Sequence, residues 1–340
     1  MKFIGDIVLT TPVIRAVKES YPDAYIAYLG EKEGVSLLQN NPDLDEIIAY
    51  DFTKPGFLEQ IKTIMRLRRK KFDVFIDLFS NPRTALLALA SGAPIRIGKD
   101  VKGRGKFYTH RINDDGERKT AIQFHYQYLK PLGIEVRHWQ TKIYLTDEER
   151  REAKIYLRWK EFDPDKPIVA LHPGATWPAK IWDKNRFAAL VDLINAKLGA
   201  QVLLTQGPND RLLCDEVSRL AVGKLQILDV LPLRQLAAIL SHCNALIAND
   251  SGPMHIAVAV GTPTIGIFGP GEEDIWFPYT PPFYPEGAGH TPLRKNVSCH
   301  PCHLNACNRT GEGFMECMKL LGIDEVFSVL QRSMNPKQNR

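Results

Sequence analysis

Apolar residues in the first half of the chain recur with two alternating periods. Tyr25–Leu29, Glu46–Tyr50, Phe72–Leu78 and Ile95–Gly98 are short runs rich in β-branched and aromatic residues, and each reads as a strand. Phe72–Leu78 is apolar enough to predict a buried one. Between these runs apolar positions fall three and four apart, which predicts helices over Ile7–Tyr21, Val35–Asn40, Phe57–Lys71 and Thr84–Ser91. The basic end Arg66–Lys71 suits the negative pole of its helix. Helices around Ala121–Leu132 and Asp147–Trp159 follow, then a charged, proline-broken stretch, Phe162–Pro167, that reads as a linker.

The rhythm restarts after the linker. Strands are predicted at Ile168–His172, Gln201–Thr205, Gln226–Asp229, Ala245–Asn249 and Thr264–Phe268, with helices over Asp183–Lys197, Asp210–Ala221, Leu233–His242 and Met254–Val260. Such alternation in each half predicts an α/β chain with parallel sheets covered by helices on both faces. Two facing Rossmann-like domains are expected, residues 1–160 and 167–330, with ligands outside the carboxyl ends of the strands. Residues 331–340 read as a disordered tail.

Composition adds little. A chain of 340 residues is longer than one core usually serves, and 44 % apolar with 24 % charged residues is ordinary for a soluble protein. The net charge of +5 permits anionic ligands such as nucleotides, phosphosugars or an acidic membrane surface. No run of 18 apolar residues predicts a spanning helix, and no apolar leader with a small-residue cleavage site opens the chain. A cytoplasmic location is the expectation, with reduced cysteines.

Three segments carry candidate chemistry. In Asn249-Asp250-Ser251-Gly252-Pro253-Met254-His255-Ile256-Ala257 a strand ends in Asp, a small-residue turn follows, and a helix begins at once. Free N–H groups at that helix start suit a pyrophosphate, and Asp250 suits sugar hydroxyls. A plain helix N-cap is the competing reading. In Leu171–Trp182 a strand runs into Gly174-Ala175-Thr176, with Lys180 beyond; an ammonium and a hydroxyl there suit a phosphate, against a solvated Lys in a proline-rich loop. In Ile4–Pro12 a Gly5-Asp6 turn runs into a helix. Asp6 there could take a proton from a hydroxyl, held ionised by the helix N-terminus, or could serve only as an N-cap.

In this order and spacing, Ile4–Pro12, His172–Ala175 with Lys180 and Trp182, and Asn249–Ala257 continuing to Gly269-Pro270 resemble glycosyltransferase family 9, the ADP-heptose:lipopolysaccharide heptosyltransferases, most closely the heptosyltransferase II type. The resemblance spans roughly residues 1–330. It implies a GT-B fold and an inverting, metal-independent sugar transfer. The first domain would hold a lipid-linked acceptor bearing Kdo and lipid A, and the second ADP-heptose. Asp6 matches the family's base. Thr176 and Lys180 match its phosphate-binding positions, with Lys180 also serving catalysis. Asp250, Ser251, Gly252, Pro253, Met254 and His255 match the loop that holds the donor, and Asp210 lies near an acidic ribose contact. Gly5, Thr10, Lys99, Arg104 and Arg111 fall on the acceptor side, the last three in a basic loop that also holds Lys102, Lys106 and His110. The implied protein is a monomer peripheral to the inner face of the inner membrane, without a nucleic-acid partner. A family member using another nucleotide sugar, or an inactive member that binds one, are the alternatives.

Two features stand apart. Cys299, Cys302, Cys307 and Cys317 have a Cys-x2-Cys start that suggests a structural zinc site, although the spacing is no standard ribbon and packed reduced thiols are the plainer reading. Family members also carry about half a dozen apolar residues, a central strand, ahead of the Gly-Asp turn. Here only Met1–Ile4 stand in that place, so the first strand reads as truncated, by a late start or a shortened chain.

Overall fold

The computed structural model describes residues 3–52 and 56–334. The chain divides into two compact units, Met1–Trp139 and Gln140–Arg340. The first runs α1 (Ile4–Leu9), α2 (Thr11–Ser20), β1 (Ala27–Glu31), β2 (Glu46–Tyr50), α3 (Phe57–Lys70), β3 (Val74–Asp77), α4 (Pro82–Ser91), β4 (Ile95–Lys99), β5 (His110–Ile112) and α5 (Ala121–Tyr126). All its strand pairings are parallel, but they form two separate sheets, β1-β2 and β3-β4-β5.

Three expectations change here. The single helix over Ile7–Tyr21 is two helices. Thr10 ends the first by donating its hydroxyl to the Ile7 carbonyl at 2.7 Å, and Pro12 supplies no N–H to carry the ladder through. Gly5-Asp6 is not a turn ahead of a helix; both residues lie in the first turn of α1, where a carboxylate is favoured by the helix dipole. The run Phe72–Leu78 forms only a four-residue strand, and Val74, Phe75 and Ile76 stay half-buried. Of the expected strand remnant Met1–Ile4, the first two residues lie outside the described residues and Ile4 already belongs to α1.

The second unit runs α6 (Asp147–Trp159), β6 (Ile168–His172), α7 (Lys184–Leu193), β7 (Gln201–Leu204), α8 (Arg211–Leu220), β8 (Leu225–Ile227), α9 (Leu233–Leu240), β9 (Ala245–Asn249), α10 (Gly252–Ala259), β10 (Thr264–Ile267), α11 (Glu273–Trp276), β11 (Thr291–Leu293), α12 (Glu316–Lys319) and α13 (Ile323–Met334). Its strands form one parallel sheet in the order β11-β10-β9-β6-β7-β8. Every residue of β6, β9 and β10 is buried, as continuous apolar runs in a doubly covered sheet should be. Val169, Leu171, Val202, Ile247 and Ile265 share one core with Phe187 and Val191 of α7 and with Val326 and Leu330 of α13.

The expected boundary at 160–167 moves to 139/140, because α6 is tied into the second unit. Glu149 forms an ion pair with Arg234 of α9, His242 meets the Arg150 carbonyl at 2.8 Å, and the Tyr156 hydroxyl donates to Asp229 at 2.8 Å. The tail expected from 331 is helical through Met334; residues 335–340 lie outside the described residues.

Candidate active site

Sheet order places the chemistry of the second unit. Strand β6 is flanked by β9 and β7, so connections leave in opposite directions on its two sides. The carboxyl ends at such a switch point form the ligand crevice of open α/β sheets. The loops after β6, β7, β9 and β10 all carry residues of interest there.

Lys180 and Asp250 meet in this place. Lys180 Nζ lies 2.6 Å from Asp250 Oδ2 and 4.5 Å from the centre of the Trp177 ring. Asp250 is only 8 % exposed, so its carboxylate needs the cation. Gly271 leaves the pair open from the side, since a Cβ there would stand 2.8 Å from Asp250 Oδ2. Asn249, fully buried, clamps the Lys180 loop to the end of β9: its amide donates to the Pro173 carbonyl at 2.7 Å and its Oδ1 accepts from the Trp182 N–H at 3.2 Å. Sequence reasoning passed over Asn249, although it opens the motif.

The Ser251 hydroxyl turns back to the Asn249 carbonyl at 2.9 Å and does not cap α10. The first turn of α10 therefore presents backbone N–H groups without a side-chain cap, next to the Lys180–Asp250 pair in sequence. Ser251, Gly252 and Pro253 are partly accessible, whereas the side chains of Met254 and His255 point into the core. At this turn they can offer a ligand their backbone, not their side chains. His255 Nδ1 meets the Tyr279 hydroxyl at 2.6 Å, and burial, aided by the Lys180 charge, holds the imidazole down to about 3 and so neutral.

Thr176 is exposed on the loop ahead of Lys180. Asp210 accepts from the Gly207 N–H at 2.8 Å and lies 3.9 Å from His172 Nε2. It fills the space above Gly174, where a Cβ would come within 2.2–2.5 Å of the carboxylate. Asp210 therefore shapes the β6 and β7 loops from within.

The cysteine segment braces the same loops. Ala179 N–H donates to the Asn305 carbonyl at 3.0 Å, His303 N–H to the Pro270 carbonyl at 3.1 Å, and His300 Nε2 meets the Gly271 carbonyl at 2.8 Å. Cys299, Cys302, Cys307 and Cys317 line one cavity of about 30 Å³. The expected zinc site is not shown. Among the described residues no three His, Cys, Asp or Glu side chains are placed to hold a metal ion, and Cys307 Sγ instead accepts from the Met315 N–H at 3.3 Å. Burial pushes the Cys317 thiol up, which favours the packed, reduced form.

In the first unit Asp6 is partly buried in α1. Burial pushes its carboxyl up to about 6, against the lowering effect of a backbone hydrogen bond at Phe3. The helix N-terminus does not hold it in the ordinary carboxylate range: loss of hydration outweighs the dipole, although the group is still mostly ionised at neutral pH. Thr10 cannot meet a ligand, because its fully buried hydroxyl is engaged with the Ile7 carbonyl and, at 3.0 Å, with the Tyr28 hydroxyl. Gly5 is partly accessible beside Asp6. In the basic loop, Lys99 pairs with Asp114 at 3.0 Å and Arg104 donates to the Ser80 carbonyl at 3.1 Å, while Lys102, Lys106, His110 and Arg111 are exposed. Asp77, unnoticed in the sequence, is the buried pin of this region: it accepts from the Tyr108 hydroxyl at 2.6 Å and the Ser80 N–H at 2.8 Å.

No helix among the described residues is long and apolar enough to cross a membrane. The structure is similar to that of a family 9 glycosyltransferase of Veillonella parvula, with a TM-score of 0.83 and 24 % identity over 98 % of this chain and 95 % of that one. It is also similar to the ADP-heptose lipopolysaccharide heptosyltransferase II of Escherichia coli, with a TM-score of 0.77 and 21 % identity over 99 % and 98 %. Both share its fold, the GT-B class of two α/β units with parallel sheets. In sequence the chain is 29 % identical to lipopolysaccharide heptosyltransferase 3 of E. coli over 82 % of its own length and 85 % of the relative's. The family model of glycosyltransferase family 9 (heptosyltransferase) matches residues 61–298, well over half of the chain. The chain therefore belongs to glycosyltransferase family 9 (heptosyltransferase).

Proposed function

We propose that this enzyme transfers heptose from ADP-heptose to the inner core of a lipopolysaccharide precursor, with inversion at the anomeric carbon and without a metal ion. The observation that carries the reading is the Lys180–Asp250 pair beside the uncapped start of α10 at the switch point of the second sheet. A departing nucleoside diphosphate gathers negative charge, and a half-buried cation with oriented N–H groups stabilises such charge without a metal. Thr176 and the backbone from Ser251 to His255 complete the phosphate site. Asp250 orients Lys180, and Asp210 holds the loops that receive the nucleoside.

In the reaction the acceptor hydroxyl oxygen forms a bond to the anomeric carbon while the bond from that carbon to the β-phosphate oxygen breaks. ADP leaves with the electron pair. The hydroxyl proton passes to Asp6, whose position near 6 on the pH scale suits a general base at neutral pH. The first unit takes the acceptor, with Gly5 beside the base and Lys99, Arg104 and Arg111 among the cations for its carboxylates and phosphates. A cytoplasmic monomer working at the inner face of the inner membrane fits an acceptor of that kind. A relative with another nucleotide sugar, or one that only binds it, would differ in one assay. Purified enzyme is given ADP-heptose and a heptosylated Kdo–lipid A acceptor, with EDTA in a parallel sample. Transfer unchanged by EDTA is expected. Transfer from a different nucleotide sugar alone, or binding without transfer, would replace this reading.

A further inference from the structure

Helix α3 carries apolar residues on two faces. Its inner face holds Thr63 and Leu67, both buried, and its outer face holds Leu58, Ile61 and Met65. Those outer positions, spaced three and four apart, form one stripe along the helix. They are 70, 37 and 46 % exposed. Helix α4 packs beside α3 and adds Leu86 and Leu89, also exposed. Leu67 of α3 and Leu87 of α4 sit in one buried cluster, so the outer faces of the two helices look to the same side. Arg68 ties the helix ends together by donating to the Ala90 carbonyl at 2.8 Å. Single exposed aliphatic side chains are ordinary on a protein surface, but five on two adjoining helices make a patch that calls for a partner.

The charge around the patch is one-sided. Helix α3 holds one carboxylate, Glu59 near its start, and α4 holds none. Beside Met65 a shallow hollow of about 370 Å³ is lined by Lys62, Arg66, Arg69 and Lys70. Arg66 and Lys70 are paired with Glu46. Lys62 and Arg69 are exposed and have no polar partner among the described residues. They stand seven residues apart, so both flank the same edge of the aliphatic stripe.

We infer that this face is a membrane-docking surface: the aliphatic stripe of α3, with Leu86 and Leu89 of α4, enters the headgroup boundary of a bilayer while Lys62 and Arg69 meet the phosphates of anionic lipids. A bilayer with anionic headgroups offers negative charge and apolar depth at one level, which is what the stripe and its flanking cations match. An acidic protein surface would answer the cations and leave the stripe against carboxylates. At 1.5 Å per residue the 14-residue helix is about 21 Å long, shorter than a hydrocarbon core, so it lies along the surface and does not cross it. Thr63 and Leu67 stay packed in the first unit, so docking requires no unfolding of α3. The inference deepens the reading of a lipid-linked acceptor and rests on it only for where the enzyme works.

The test mixes the full chain with vesicles of phosphatidylethanolamine and phosphatidylglycerol, or of phosphatidylcholine alone, and sediments them. Neither acceptor nor nucleotide sugar is present, so failure of docking and failure of the transfer reading are separate results. Wild type should bind the phosphatidylglycerol vesicles and leave the phosphatidylcholine vesicles almost bare. The double variants Leu58→Ser, Met65→Ser and Lys62→Glu, Arg69→Glu should each bind about tenfold more weakly or worse. Their thermal midpoints should match wild type, because all the altered side chains are exposed. Leu212→Ser, at an exposed leucine of the second unit, should bind as wild type does. Wild type that stays in solution beside phosphatidylglycerol vesicles, or double variants that bind as well as wild type, would overturn the inference. So would a wild-type dimer in analytical ultracentrifugation that Leu58→Ser, Met65→Ser splits into monomers, since the face would then belong to a second copy of the chain.

Discussion

Burial lifts the Asp6 carboxyl to about 6, so the side chain changes charge just below neutral pH. Two consequences have opposite signs. As a base Asp6 must be ionised, and kcat/KM for transfer should fall as pH drops through 6. For stability the raised value means that the folded chain holds this proton more tightly than the unfolded chain, so the contribution of Asp6 is lost as pH rises from 3.8 through 6. Asp6→Asn should therefore reduce kcat by about 100-fold or more while leaving the thermal midpoint at pH 7.5 unchanged or higher. A drop in that midpoint, or undiminished transfer, would remove Asp6 from its role. Lys180→Met should act differently. It strands the nearly buried Asp250 carboxylate at a cost of about 3 kcal/mol, so denaturant unfolding should show the loss alongside weaker donor binding.

At the scale of elements, Gly174 sets how closely the β6 loop approaches the β7 loop. Gly174→Ala would drive a methyl group into the Asp210 carboxylate, and a raised KM for the donor with an unaltered KM for the acceptor is the expected kinetic signature. The sheet of the second unit was legible beforehand because its strands are unbroken apolar runs, and runs such as Ile168–His172 and Ala245–Asn249 match the observed strands end for end. The helix start after Asp250 was legible for a similarly local reason: small residues and Pro253 sit where a first turn accepts them. What failed was long-range. That Met254 and His255 face inward depends on β10 and Tyr279, not on their own segment. Helix α6 joined the second unit through Arg234, 85 residues from Glu149 in sequence. Val74–Ile76 have the composition of a buried strand, yet burial depends on a neighbour that their own sequence does not name.

Across the whole molecule, acid should lower the stability of this protein from pH 6.5 downward. Burial holds His255 to about 3 and His125 and His290 to about 4, so the unfolded chain takes up protons near 6.5 that the folded chain refuses. Stability from these groups is complete above 6.5 and declines toward pH 4, opposite to the Asp6 effect and larger in sum; thermal midpoints across that range would show it. The exposed cations Lys102, Lys106 and Arg111 predict a separate dependence on salt. A Lys102→Glu, Lys106→Glu double variant should raise the KM for an anionic acceptor several-fold at low ionic strength, leave the donor KM alone, and lose most of its effect at about 1 M salt.

The bracing of the Lys180 loop by the far end of the chain bears on biosynthesis. Asn305 holds Ala179, the Leu321 carbonyl accepts from the Trp182 indole at 3.1 Å, and Arg186 donates to the carbonyls of Met318, Lys319 and Leu321. Most strands of the sheet leave the ribosome long before these partners do. The loop that carries the Lys180 charge must wait for them, so a nascent or prematurely terminated chain would have its sheet formed and its donor site still open. Competence would arrive only once the segment from Asn305 to Leu321 has been made and has packed against the loop.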